Sequence, residues 1–155
     1  MVDVFAILFG LVASWAQPIV TECTHTDKIF RCVKFQKNYD GDTLTVDIPG
    51  VHPLLGRNIS VRVAGLDTPE VKTKDVCEKG AGRAAKNLVA SLVKPAKNIE
   101  LHNAERDKYF RILADVIVDG KSLKDILLKN QLAYVYDGGT KSKVDWCKRF
   151  PAFAP

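Results

Sequence analysis

A chain of 155 residues, 46% hydrophobic and 26% charged, has room for one domain with a real core. It is too short for two such domains and too apolar for intrinsic disorder. A net charge of +5 favours polyanionic partners such as nucleic acid or an anionic membrane, without separating the two.

The first residues stand apart. Residues 4–16 (VFAILFGLVASWA) form an apolar run too short to span a bilayer comfortably, and the small Ser14 and Ala16 precede a break at Gln17-Pro18. That is the pattern of a signal peptide over 1–16, followed by an N-terminal extension over 17–28 and a folded domain over 29–155. The segment carries Asp3 and no lysine or arginine before its apolar core, so a retained anchor or a different start stays open as a reading. Four cysteines follow: Cys23, Cys32, Cys77 and Cys147. None forms a CxxC pair and the three histidines (His25, His52, His102) are scattered, which argues against a zinc site. In a secreted or periplasmic protein an even count favours two disulfides. Of three connectivities, Cys23–Cys32 with Cys77–Cys147 is preferred, because the second would tether a short C-terminal tail. Four reduced thiols in a cytosolic protein are the alternative.

Residues 29–35 alternate well enough for a strand, and Tyr39-Asp40-Gly41-Asp42 reads as a tight turn. Residues 43–48 form an amphipathic strand, with Leu44, Val46 and Ile48 on one face. A turn-rich connection over 49–56 leads to a third strand over 58–64. Between residues 75 and 95 the period changes: Ala81, Ala84, Ala85, Leu88, Val89 and Leu92 recur at helical spacing until Pro95 stops them. Strands over 98–102 and 112–118 flank a charged loop over 105–111. Ser122 with Asp125 resembles a capping box opening a second helix, whose apolar face is Leu123, Ile126 and Leu127. Residues 132–136 are a short extended piece, and the basic tail holds one helical turn near 144–148. The order βββ-α-ββ-α predicts an α+β, mainly β fold: a five-stranded OB-fold barrel with two main helices and a shortened C-terminal helix or tail.

Residues 61–70 (VRVAGLDTPE) carry the densest chemistry. A strand with one arginine ends at Asp-Thr-Pro, because proline offers no N–H and pushes its predecessor out of helical backbone. A cation and two carboxylates at a strand end can hold a metal and an anion together; a solvated surface ion pair is the plainer reading. Asp40 and Asp42 can equally cap a turn. Tyr134 and Tyr136 stand two apart in an extended segment, so both rings share one side.

Taken in order, Tyr39-Asp40-Gly41-Asp42-Thr43, Arg62 with Asp67-Thr68-Pro69-Glu70, Asp107-Lys108-Tyr109-Phe110-Arg111 and Tyr134-Val135-Tyr136 resemble the staphylococcal nuclease family over about residues 29 to 136. The resemblance implies a calcium-dependent endonuclease that cleaves DNA and RNA with little sequence preference and leaves 3′-phosphates. It implies Asp42 and Asp67 as carboxylate ligands of Ca²⁺, with the Thr68 carbonyl as a third ligand. Glu70 takes the position proposed as general base, Arg62 and Arg111 those that hold the scissile phosphate, and Lys108, Tyr134 and Tyr136 line the nucleotide pocket. Nucleic acid is the only partner implied; a monomer with no membrane contact beyond the signal segment is expected. The alternative is a non-catalytic nucleic-acid-binding module on the same barrel.

Two features depart from the family pattern. Phe110 stands where the family loop has glycine, so a positive φ there would strain the loop and re-aim Arg111. The C-terminal helix is shortened, and Cys77–Cys147 would replace what it held. Strict alternation also puts Arg62 and Asp67 on opposite faces, so convergence requires a bend near Ala64-Gly65.

Overall fold

A computed structural model describes residues 23–107 and 109–153. The expected signal segment and Lys108 lie outside the described residues. The main sheet is built from β1 (Lys34–Asn38), β2 (Thr43–Asp47), β3 (Ile59–Val63), β5 (Ile99–Arg106) and β6 (Ile112–Val118) in the order β1-β2-β3-β6-β5. All neighbours are antiparallel except β3 and β6. Two-residue β4 (Leu66–Asp67) pairs with β8 (Tyr134–Val135), and β7 (Lys121–Ser122) folds back to pair antiparallel with the end of β6.

The sheet curls on itself as the OB-fold requires. Phe30 and Leu101 exchange both backbone hydrogen bonds at 2.9 Å, and the Val33 N–H reaches the Ile99 carbonyl, so the segment before β1 lies along β5. The predicted strand over 29–35 is therefore corrected. A left-handed kink at Cys32, φ 54°, interrupts it: residues 30–33 lie on β5, and the strand on β2 begins only at Lys34. The strand expected over 98–102 runs on to Arg106, past a register shift beside Asn103, which leaves only 107–111 as loop.

Helix α1 (Pro53–Gly56) is one turn inside the connection expected to be turn-rich. Helix α2 (Val76–Val93) opens at Asp75, whose carboxylate accepts the Glu78 N–H at 2.8 Å, and closes before Pro95. Helix α3 (Leu123–Lys129) is capped by Ser122 from the Asp125 N–H, as the sequence predicts. The tail ends in α4 (Trp146–Arg149) and a 3₁₀ turn, Pro151–Phe153. Among the described residues no helix is long and apolar enough to cross a membrane.

Leu44, Val46, Val61, Val63, Leu101 and Val116 fill the barrel, closed at one side by Ala85, Val89 and Val93 of α2 and by Leu123 and Leu127 of α3. Each large aliphatic side chain so buried contributes roughly 1.5–3 kcal/mol. A satellite cluster of Cys77, Ala81 and Trp146 fixes the tail to the start of α2, clasped by the Cys77–Cys147 disulfide. Cys23–Cys32 closes the N-terminal loop, so both expected pairings are present.

Candidate active site

The turn between β1 and β2 sorts its two aspartates. Asp40 caps the turn, its Oδ1 accepting the N–H groups of Asp42 (3.1 Å) and Thr43 (2.8 Å). Asp42 is thereby released to point inward, where it is 2% exposed. Its Oδ2 accepts the Thr68 N–H at 2.9 Å and the Thr68 hydroxyl at 3.0 Å. Its Oδ1 accepts Arg62 Nη1 at 2.6 Å and the Thr43 hydroxyl at 3.1 Å.

Arg62 and Asp67 converge because Gly65 turns the chain at φ 75°, in the left-handed region where glycine meets no Cβ penalty. The turn between β3 and β4 supplies the bend that strict alternation demanded. Arg62 then divides its fork, giving Nη1 to Asp42 and Nη2 to Asp67 Oδ1 at 2.5 Å. Pairing of Asp67 with Tyr134 across β4 and β8 brings the tyrosine hydroxyl 2.6 Å from Asp67 Oδ2. The segment after Asp67 packs directly on α2. A Cβ at Gly82 would come within 2.7 Å of the Pro69 carbonyl, so only glycine admits this approach.

Burial, with the neighbouring Asp40 charge, pushes the Asp42 carboxyl up to about 6 despite Arg62 and the Thr68 N–H, and Asp67 adds to the rise. For Asp67 burial works the same way, but Tyr134, Lys141 and Arg62 outweigh it and hold the carboxyl below the usual aspartate range. Burial and the Asp67 charge together raise the Tyr134 phenol, which stays a hydrogen-bond donor.

In front of this buried group opens a cleft of about 730 Å³, lined among others by Arg62, Glu70, Tyr109, Arg111, Tyr136 and Lys141. Glu70 is exposed and takes Lys141 Nζ at 3.2 Å. Asp107 organises the opposite wall: its Oδ1 accepts the N–H groups of Tyr109 and Arg111, and its Oδ2 accepts Arg111 Nε at 2.7 Å. Phe110 does adopt a positive φ, 61°, with its ring 84% exposed. The Asp107 bonds and an Arg106 bond to the Phe110 carbonyl (3.0 Å) hold the loop in that shape, and Arg111 still faces the cleft across the Tyr109 ring.

A family model described as Staphylococcal nuclease homologue matches residues 60–149. The chain belongs to the staphylococcal nuclease family. Endonuclease YncB of Bacillus subtilis (strain 168) is 39% identical over 114 residues, covering 70% of this chain and 51% of that protein. The SPbeta prophage-derived endonuclease YokF of the same organism is 39% identical over 115 residues, 70% of this chain and 36% of YokF. An uncharacterized endonuclease of Haemophilus influenzae is 29% identical over 118 residues, 76% of this chain and 58% of that protein. The chain thus spans about half the length of YncB and about a third of YokF.

On this staphylococcal nuclease barrel the predicted residues gather in two tiers. Asp42, Asp67, Thr68 and Tyr134 are bonded together behind Arg62, while Glu70, Arg111 and Tyr136 line the cleft with it. Tyr136 is turned toward the tail, donating its hydroxyl to the Gly139 carbonyl at 2.9 Å. Lys141 was not predicted; nothing in the pattern of a basic tail marks one lysine above its neighbours. The donor set suits a hard cation: carboxylate oxygens and a hydroxyl, with no sulfur or imidazole. Two side-chain cations, Arg62 and Lys141, stand on the carboxylate oxygens, which marks the pair as a place for positive charge. The other acidic group with sulfurs nearby, Asp75 with Cys77 and Cys147, cannot bind a metal through thiolates that are joined as a disulfide.

Proposed function

We propose that the chain is a calcium-dependent endonuclease that hydrolyses phosphodiester bonds of DNA and RNA with little sequence preference, leaving 3′-phosphates. The observation that carries the reading is the pair of buried carboxylates, Asp42 and Asp67, bridged by one arginine at the back of a cleft that also presents Glu70 and Arg111. The endonuclease names of YncB and YokF support it.

Asp42 and Asp67, with the Thr68 carbonyl, would hold the ion. When bound, Ca²⁺ supplies positive charge against a phosphate oxygen and leaves coordination places for water and substrate. Arg111 offers a planar, permanently charged fork to the other phosphate oxygens, steadied through its Nε by Asp107. Arg62 keeps the two carboxylates from repelling each other and presents its remaining N–H groups to the phosphate. Charge that grows on the phosphate during attack therefore meets donors already in place, and each is worth on the order of 3 kcal/mol in such sites. Glu70, exposed at the mouth of the cleft, takes the proton of the attacking water. Tyr136 lines the cleft, where its aromatic face can stack on a base. The two disulfides support export to the periplasm or beyond, with residues 1–16 removed and residues 29–155 forming the catalytic domain.

Digestion of single-stranded DNA and of RNA by the disulfide-bonded protein, with calcium and with chelator, tests this. Cleavage in calcium that chelator abolishes is expected. Retained binding without cleavage in any metal would leave the non-catalytic module instead.

A further inference from the structure

One cation of the site is delivered from outside the barrel. Lys141 lies in the tail, and its Nζ stands 3.0 Å from Asp67 Oδ2 and 3.2 Å from Glu70 Oε1. The tail that carries it is fixed on both sides. Upstream, β8 is paired to β4, and the Tyr136 N–H donates to the Gly65 carbonyl at 3.2 Å. Downstream, Cys147 is bonded to Cys77, and Trp146, 6% exposed, packs against Cys77 and Ala81. Arg149 adds a 3.3 Å bond to the Ala133 carbonyl. Between these anchors the chain must cross the mouth of the cleft, and it does so with Lys141 over the two acids.

We propose that Lys141 is a positioning residue of the site: a built-in counter-cation that holds one oxygen of Asp67 until a divalent ion displaces it, and so sets how tightly the carboxylate pair takes up that ion. This rests on the reading of Asp42 and Asp67 as ion ligands. A monovalent ammonium whose side chain is 53% exposed is a replaceable occupant, since its charge is readily rehydrated when it leaves. The same lysine also engages Glu70, so its displacement frees the carboxylate proposed as base. Ion uptake and exposure of the base become one event, with the tail as the spring that returns the lysine when the ion leaves.

Calorimetric titration of calcium alone, without nucleic acid, into the disulfide-bonded protein tests this. Lys141→Met removes the charge and keeps the length; it is expected to bind calcium about two- to fivefold more tightly, the range for loss of one partly exposed competing ion pair. Lys141→Arg restores a competing charge and is expected to return the affinity toward that of the parent. Lys143→Met, on the same tail, should leave the affinity within about twofold, the size of an unpaired surface charge. Circular dichroism and thermal unfolding in chelator establish that each variant is folded. Equal or weaker binding by Lys141→Met would overturn the role of Lys141 alone. If neither that variant nor the parent bound calcium, the ion-ligand reading of Asp42 and Asp67 would fall as well.

Discussion

Asp42 and Asp67 are 2% and 3% exposed, and all four of their carboxylate oxygens meet donors from the strands or the residues beside them. Glu70 and Lys141, by contrast, have side chains about half exposed, and Arg111 is held by an aspartate four residues away in its own loop. The inner tier is welded into the barrel, whereas the outer tier is hung from a loop and a tail. Charge inside the barrel must be balanced there or the fold suffers; charge at the rim is balanced by water and can be spent on substrate. Substitutions in the two tiers should therefore separate stability from turnover.

Arg62→Ala tests the inner tier most severely. It strands two buried carboxylates, and in chelator we expect about 3–5 kcal/mol of lost stability by urea unfolding, with part of it regained when calcium is added. A loss below about 1 kcal/mol, the size of a surface pair, would show that the inner tier is not the charge-balanced unit described. Glu70→Gln tests the outer tier. Stability should move by less than about 0.5 kcal/mol, as for other exposed positions, while kcat on single-stranded DNA falls on the order of 10²- to 10⁴-fold. Comparable losses in both measurements would place Glu70 in the fold rather than at the rim.

The two disulfides sharpen the same contrast. Cys77–Cys147 closes a separation of 70 residues and Cys23–Cys32 one of 9. In the chain-entropy picture they contribute about 4 and about 2.5 kcal/mol respectively. Replacing Cys77 and Cys147 together by serine should thus lower the thermal midpoint more than replacing Cys23 and Cys32. It should also loosen the tail that carries Lys141; an equal effect from the two pairs would mean that the tail is held by Trp146 packing alone.

The inner tier was legible in the sequence and the outer tier only in part, for a physical reason. Leu44, Val46 and Ile48 alternate because one face of β2 is core, the same alternation reveals β3 and β6, and a change to helical spacing reveals α2. Asp42, Arg62 and Asp67 were marked by the family resemblance, since strand ends alone read equally as a turn cap and a surface ion pair. The break at Cys32 was hidden, because alternation across 29–35 reads the same whether or not the chain changes partners midway. Lys141 was invisible for a deeper reason. Its place depends on a bond between residues 70 apart and on where α4 packs, neither of which leaves a period in the tail.

Phe110 sits in the loop that carries Arg111 to the rim. A non-glycine residue in the left-handed region costs about 1–2 kcal/mol, and this ring packs against little. Phe110→Gly removes that cost but gives the unfolded chain more freedom, which returns roughly 0.5–1 kcal/mol. The balance is a gain of between about 0 and about 1.5 kcal/mol in urea unfolding. Turnover should change little, because Asp107, not residue 110, sets the direction of Arg111 through three hydrogen bonds to its loop. A tenfold or greater rise in kcat would instead mean that the phenylalanine twists Arg111 away from the phosphate, at about 1.4 kcal/mol of lost transition-state contact. The rim would then be tuned by strain in its backbone rather than by the aspartate that braces it.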